Sequence, residues 1–98
     1  MFATEVGNRV GVVDSKTFEG VRFSVYPKDH PPPHVHGTMA DVVVVIALLA
    51  NGEVDLADRW DKVLPSNAPR NVVAKILRVA GQNVDELIAL WEKTHGTR

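Results

Sequence analysis

Four consecutive valines, Val42 to Val45, followed by Ile46 make the segment Asp41–Ala50 the part of this chain with the fewest structural options. Branched side chains lose rotamer freedom in a helix and pack well on a pleated surface, so the run predicts a strand, and its continuous apolar character predicts a central strand covered on both faces. Asn51-Gly52 follows at once, and both residue types tolerate the positive φ that a tight hairpin requires. Glu53–Leu56 is then expected to return as an antiparallel partner. A β-hairpin is the seed from which the rest of the fold is read.

Upstream, Arg9–Val13 is β-prone and is expected to end at Asp14-Ser15-Lys16, leaving a polar loop or wide hairpin connection through Gly20. Val21–Tyr26 alternates apolar and polar, placing Val21, Phe23 and Val25 on one face, and Pro27 stops the strand because it cannot donate to a ladder. Downstream, Ala57–Leu64 fits neither a long helix nor a clean strand. Pro65-Ser66-Asn67 opens a helix with Pro69 in its first turn and Val72, Val73, Ile76, Leu77 and Ala80 as an apolar stripe. Gly81 is the expected cap. A second helix starts at Asn83, with Glu86 as capping partner and Val84, Leu87, Ile88 and Trp91 facing inward; a connection of about two residues implies closely crossing helices. The expected architecture is α+β: a three- or four-stranded antiparallel sheet with two C-terminal helices packed on one face, in a single domain spanning residues 1–98.

Composition narrows the chemistry. There is no cysteine, which excludes disulfides and thiol catalysis and leaves histidine and carboxylate as the strong transition-metal ligands. A formal charge of −1 offers little long-range attraction to nucleic acid. The first residues lack a basic segment followed by a long apolar run, and Val42–Ala50 is too short to span a bilayer, so the expectation is a cytoplasmic protein with no membrane association.

Against this plain background one stretch stands out. Asp29-His30-Pro31-Pro32-Pro33-His34-Val35-His36-Gly37 holds three of the four histidines and half of the six prolines. It reads as a loop, with Gly37 as its exit. His34 and His36, two apart, point to the same side in an extended segment. With Asp29 and His30 they form a candidate nitrogen and oxygen site for a divalent transition metal such as zinc, nickel, iron or manganese. The same His30, His34 and His36 are candidate catalytic groups without a metal: a neutral imidazole takes a proton and a protonated one gives it, the pairing needed to cleave RNA through its 2′-hydroxyl, with Arg22, Lys28 or Tyr26 beside a phosphate. A purely structural role, in which the rings bond to backbone carbonyls and carboxylates, competes with both. His95 is placed to interact with the dipole of the last helix, and Trp60 and Trp91 are both read as core, Trp60 also as a surface for a partner.

The string Asp29-His30-Pro31-Pro32-Pro33-His34-Val35-His36 resembles the Asp-His-x-Pro-Pro-His-x-His signature of small bacterial proteins grouped as domain-of-unknown-function family 4160. Ala40 and the β-run after it, the Asn51-Gly52 turn, Leu64-Pro65 before a helix, and Glu86-Leu87-Ile88-Ala89-Leu90-Trp91-Glu92 are similar to the later pattern of the family, so the resemblance covers Val21 to Glu92. The chain differs in an N-terminal extension and in a longer segment between Asn51-Gly52 and Leu64-Pro65. The resemblance implies a toxin–antitoxin component that acts through a small protein encoded by an adjacent gene. Three functions follow as expectations: such a partner-dependent protein with the histidine loop as its site; a small metal- or histidine-dependent hydrolase, with RNA as a candidate substrate; and a non-enzymatic interaction module. Association with a second copy of the chain is compatible with each.

Overall fold

The structure, a computed structural model, describes residues 13–96. Its sheet has six strands, β1 (Asp14–Phe18), β2 (Val21–Val25), β3 (His34–Met39), β4 (Val42–Leu48), β5 (Val54–Leu56) and β6 (Val63–Leu64), and two helices follow, α1 (Arg70–Gln82) and α2 (Val84–His95). All pairings are antiparallel, in the order β1-β2-β3-β4-β5, with β6 also paired to β4. The α+β class, the antiparallel sheet and the two C-terminal helices agree with the sequence reading; the strand count is higher, for three reasons.

The expected strand Arg9–Val13 lies outside the described residues except for Val13, but the segment expected to be loop, Asp14–Phe18, is an edge strand paired in register from Asp14↔Val25 to Phe18↔Val21. Only Phe18 in it is a large apolar residue, so hydrophobic patterning gave no signal; the ladder holds it, with a Thr94 Oγ1 to Asp14 Oδ2 hydrogen bond of 2.6 Å tying it to α2. Its turn is tight rather than wide, with Glu19 and Gly20 both at positive φ, as two-residue hairpins require. The histidine segment is the second addition. From His34 onward it is strand β3, paired residue for residue with β4 from His34↔Ala47 to Met39↔Val42, and the loop is confined to the residues before it. Gly37 is therefore mid-strand and not a loop exit: a Cβ there would lie 2.7 Å from Ile76 Cγ2 and 3.1 Å from Phe23 Cε1, so its bare backbone is what lets α1 sit this close to the sheet. The third addition is β6, inside the stretch expected to be irregular, where Val63 and Leu64 pair with Val44 and Val43.

The valine run and its hairpin form as expected. Leu48 pairs with Val54, and Gly52, at φ 85°, donates to Leu49 O, so the loop is longer than the two residues Asn51-Gly52 alone. Val44 and Ile46 are fully buried and join Val21, Phe23, Val25 and Val35 against Ile76, Val79, Leu87 and Trp91 in one core. Each such large side chain contributes about 1.5–3 kcal/mol on burial.

The helices differ at their junction. Gly81 lies inside α1, which runs on to Gln82, and the connection is the single residue Asn83. Its Nδ2 donates to Val79 O at 2.9 Å, while Glu86 pairs with Lys16 Nζ, so the expected capping exchange between Asn83 and Glu86 is absent. Trp91 is core, 6% exposed, but Trp60 is 89% exposed on the charged segment between β5 and β6. Charged residues on both sides keep that segment at the surface, and the ring stays with it. Among the described residues no helix is long and apolar enough to cross a membrane.

Candidate metal centre

Strand geometry sets up the site. Side chains two apart on β3 share a face, so His34 and His36 project together while Val35, fully buried, projects into the core. Their rings meet edge to face with centroids 5.5 Å apart. The residues between β2 and β3 bring in the third group. Asp29 N donates to Tyr26 O at 3.0 Å and Tyr26 N donates to Asp29 Oδ2 at 2.9 Å, a reciprocal pair that fixes the carboxylate. Leu48 N donates to Pro33 O at 3.0 Å and anchors the proline segment to β4.

With Oδ2 occupied, Oδ1 of Asp29 faces both imidazoles, 3.3 Å from His36 Nε2 and 3.5 Å from His34 Nε2. One donor atom from each of the three residues lies within 4.8 Å of the others. Ligands about 2.0–2.2 Å from a tetrahedral zinc ion stand about 3.3–3.6 Å apart, and both measured edges fall there.

His34 is the residue whose state is least satisfied by protein alone. Nδ1 lies 3.0 Å from Pro32 O, and because a carbonyl only accepts, Nδ1 carries the proton. In the neutral ring that leaves the lone pair on Nε2, which is buried, has no hydrogen-bond partner and faces the Asp29 carboxylate. Two acceptors facing each other out of water with no proton between them are costly, about 1–3 kcal/mol for the unpaired atom alone. His36 donates to or shares a proton with Asp29 Oδ1, and burial holds its imidazole below the ordinary value of 6.5, against the opposing pull of Asp29. A neutral imidazole is the form that ligates.

His30 stands outside this group. It is exposed and lines, with Pro31, Pro33, His34, Asp58 and Arg59, a groove of about 480 Å³. His34 is common to the groove and the three-residue cluster. Arg59 is forked onto Asp61, and its charge reaches far enough to weigh against protonation of His36. Arg22 and Lys28, candidate phosphate groups in the sequence, are both exposed and not among these lining residues.

Sequence reading missed the support behind the ligands. Tyr26 sits edge-on to His36 with centroids 4.9 Å apart, Trp91 lies 5.3 Å from the His34 ring, and His95 stacks on Trp91 at 4.0 Å. The one available signal is the spacing of Trp91 and His95, four apart and therefore adjacent on a helix surface.

The sequence matches the family described as Domain of unknown function (DUF4160) over residues 20–92, a span that contains Asp29, His34, His36 and Trp91. No curated protein and no solved structure matches the chain.

Proposed function

The chain belongs to the DUF4160 family, and we propose that it is a metal-dependent hydrolase whose divalent transition metal is held by Asp29, His34 and His36. The observation that carries this reading is His34 Nε2, a buried ring nitrogen with no hydrogen-bond partner, 3.5 Å from the Asp29 carboxylate oxygen that His36 Nε2 also approaches. A cation between them removes the repulsion and uses all three donors. Two nitrogens and one oxygen suit zinc, and three protein ligands are the number found in catalytic rather than closed structural sites.

A bound cation supplies Lewis acidity beside the groove. The protein's own groups there are His30, whose imidazole is exposed at the groove, and Arg59, whose guanidinium is paired with Asp61 and would have to exchange that carboxylate for an anionic substrate. A phosphodiester is the substrate class that suits a metal centre with a histidine and an arginine at the groove beside it, so RNA is the substrate to test first. Elemental mass spectrometry of untagged protein should find near-stoichiometric metal, lost in His34→Ala, His36→Ala and Asp29→Asn. RNA cleavage that survives a chelator would overturn the metal reading in favour of metal-free histidine catalysis. Absence of both metal and cleavage would remove the enzyme altogether.

The exposed Trp60 favours a second element of this reading. Tryptophan so open to water is a common anchor of protein interfaces. On that ground we propose that the hydrolase works with a small protein encoded by an adjacent gene, as a member of a toxin–antitoxin-type pair. Co-expression should give a complex that Trp60→Ala weakens; no complex over a range of salt concentrations would count against the pairing.

A further inference from the structure

We infer that His95, in the last turn of α2, is a positioning residue of the metal centre, an inference that rests on the three-ligand reading above. His95 Nε2 donates to Tyr26 O at 3.1 Å, across 69 positions of sequence. That same carbonyl accepts the Asp29 amide, and the Tyr26 amide in turn holds Asp29 Oδ2. His95 therefore pins the turn that aims the one carboxylate ligand. Its ring also lies on Trp91 at an interplanar angle of 24°, and Trp91, buried in the core, borders the His34 ring. The end of one helix thus reaches two of the three ligands by separate routes, one through hydrogen bonds and one through ring packing.

A favourable dipole interaction explains a basic residue in this turn, but it does not explain an imidazole nitrogen directed at a carbonyl of the β2–β3 connection. Partners behind the ligands fix ligand orientation, and their loss typically weakens metal affinity by about 10–100-fold. The alternative is that His95 only docks α2 onto the sheet. That role would lower the stability of the metal-free fold and leave the affinity of the folded protein for metal unchanged.

Two variants of the full chain separate these roles, with zinc chloride as the probe. His95→Phe keeps a ring for Trp91 and removes the donor; His95→Gln returns a donor nitrogen and removes the ring. In zinc titrations His95→Phe should weaken affinity by about 10–100-fold and His95→Gln should restore it to within about threefold of wild type. Equal affinities for wild type and His95→Phe, or a His95→Gln variant as weak as His95→Phe, would overturn the inference while leaving the three-ligand site intact. A wild-type protein with no zinc affinity would sink the site and the inference together. A measurement without substitution covers the case in which a variant fails to fold. Coupling is reciprocal, so zinc should slow exchange of the Gly96 amide, which closes the last turn onto Glu92 O. Unchanged exchange at saturating zinc overturns the inference.

Discussion

The two faces of β3 are built to opposite specifications. On one, Val35 is fully buried and Gly37 is so closely covered by Ile76 and Phe23 that not even a methyl group fits. On the other, His34 and His36 face a carboxylate, and one of their nitrogens has no partner. The first face has every contact it needs from the protein. On the proposed reading the second is completed by a cation. Because strand residues alternate, the same six positions can carry both without compromise, and the ladder to β4 holds the ligands as rigidly as it holds the core. The lesson is that stability and chemistry should separate residue by residue along this strand.

The sharpest way to break that comparison is His34→Ala. It should reduce zinc affinity by more than about a hundredfold, or about 2.7 kcal/mol, with a smaller loss of metal-free stability, because relief of the unpartnered Nε2 offsets part of what is lost with the Nδ1 bond to Pro32 O and the packing on Trp91. A large loss of metal-free stability would mean that His34 belongs to the core after all. Gly37→Ala should do the reverse: a loss of about 1–3 kcal/mol in urea unfolding from overpacking, with zinc affinity unchanged in the folded protein.

A smaller effect comes from pH. His36 is held below its ordinary value of 6.5, chiefly by burial, so in chelator the unfolded chain takes up the proton first as the pH falls. The stability linked to this ring is present in full above about pH 6.5 and is lost as the pH falls from there through the folded value. Urea midpoints at several pH values should therefore decline less steeply toward acid in His36→Gln than in wild type; a steeper decline in the variant would reverse the sign. The smallest expected change is Trp60→Ala, away from both faces, which should stay within about 0.5 kcal/mol of wild type and leave zinc affinity unaltered, in keeping with a side chain 89% exposed.

Much of this was legible in the sequence, and the gaps have physical causes. Val42–Val45 and Asn51-Gly52 announce a strand and a turn because local sterics alone nearly decide them. The spacing of His34 and His36 announces a shared face for any extended backbone. Nothing local announces Asp14–Phe18, a polar edge strand held by its ladder, or tells Asp29 from His30. These two adjacent residues part company because the Tyr26–Asp29 hydrogen bonds turn one carboxylate inward and leave the next imidazole in water. Trp60 misled because its size favours burial while its neighbours, Asp58, Arg59, Asp61 and Lys62, oppose it. His95 was legible only as a residue near a helix end, four positions from Trp91, since its hydrogen-bond partner Tyr26 lies 69 positions away.

Asp29, His34 and His36 all fall within one stretch of eight residues. Chelation by so short a segment needs no distant part of the chain to be in place, so an unfolded molecule can also capture the ion, though less tightly. The thermal shift at saturating zinc should then fall short of what the native-state affinity alone would give, because the metal stabilises both sides of the unfolding equilibrium. On the proposed reading, the same locality would let a nascent chain acquire a metal before β3 has found β4.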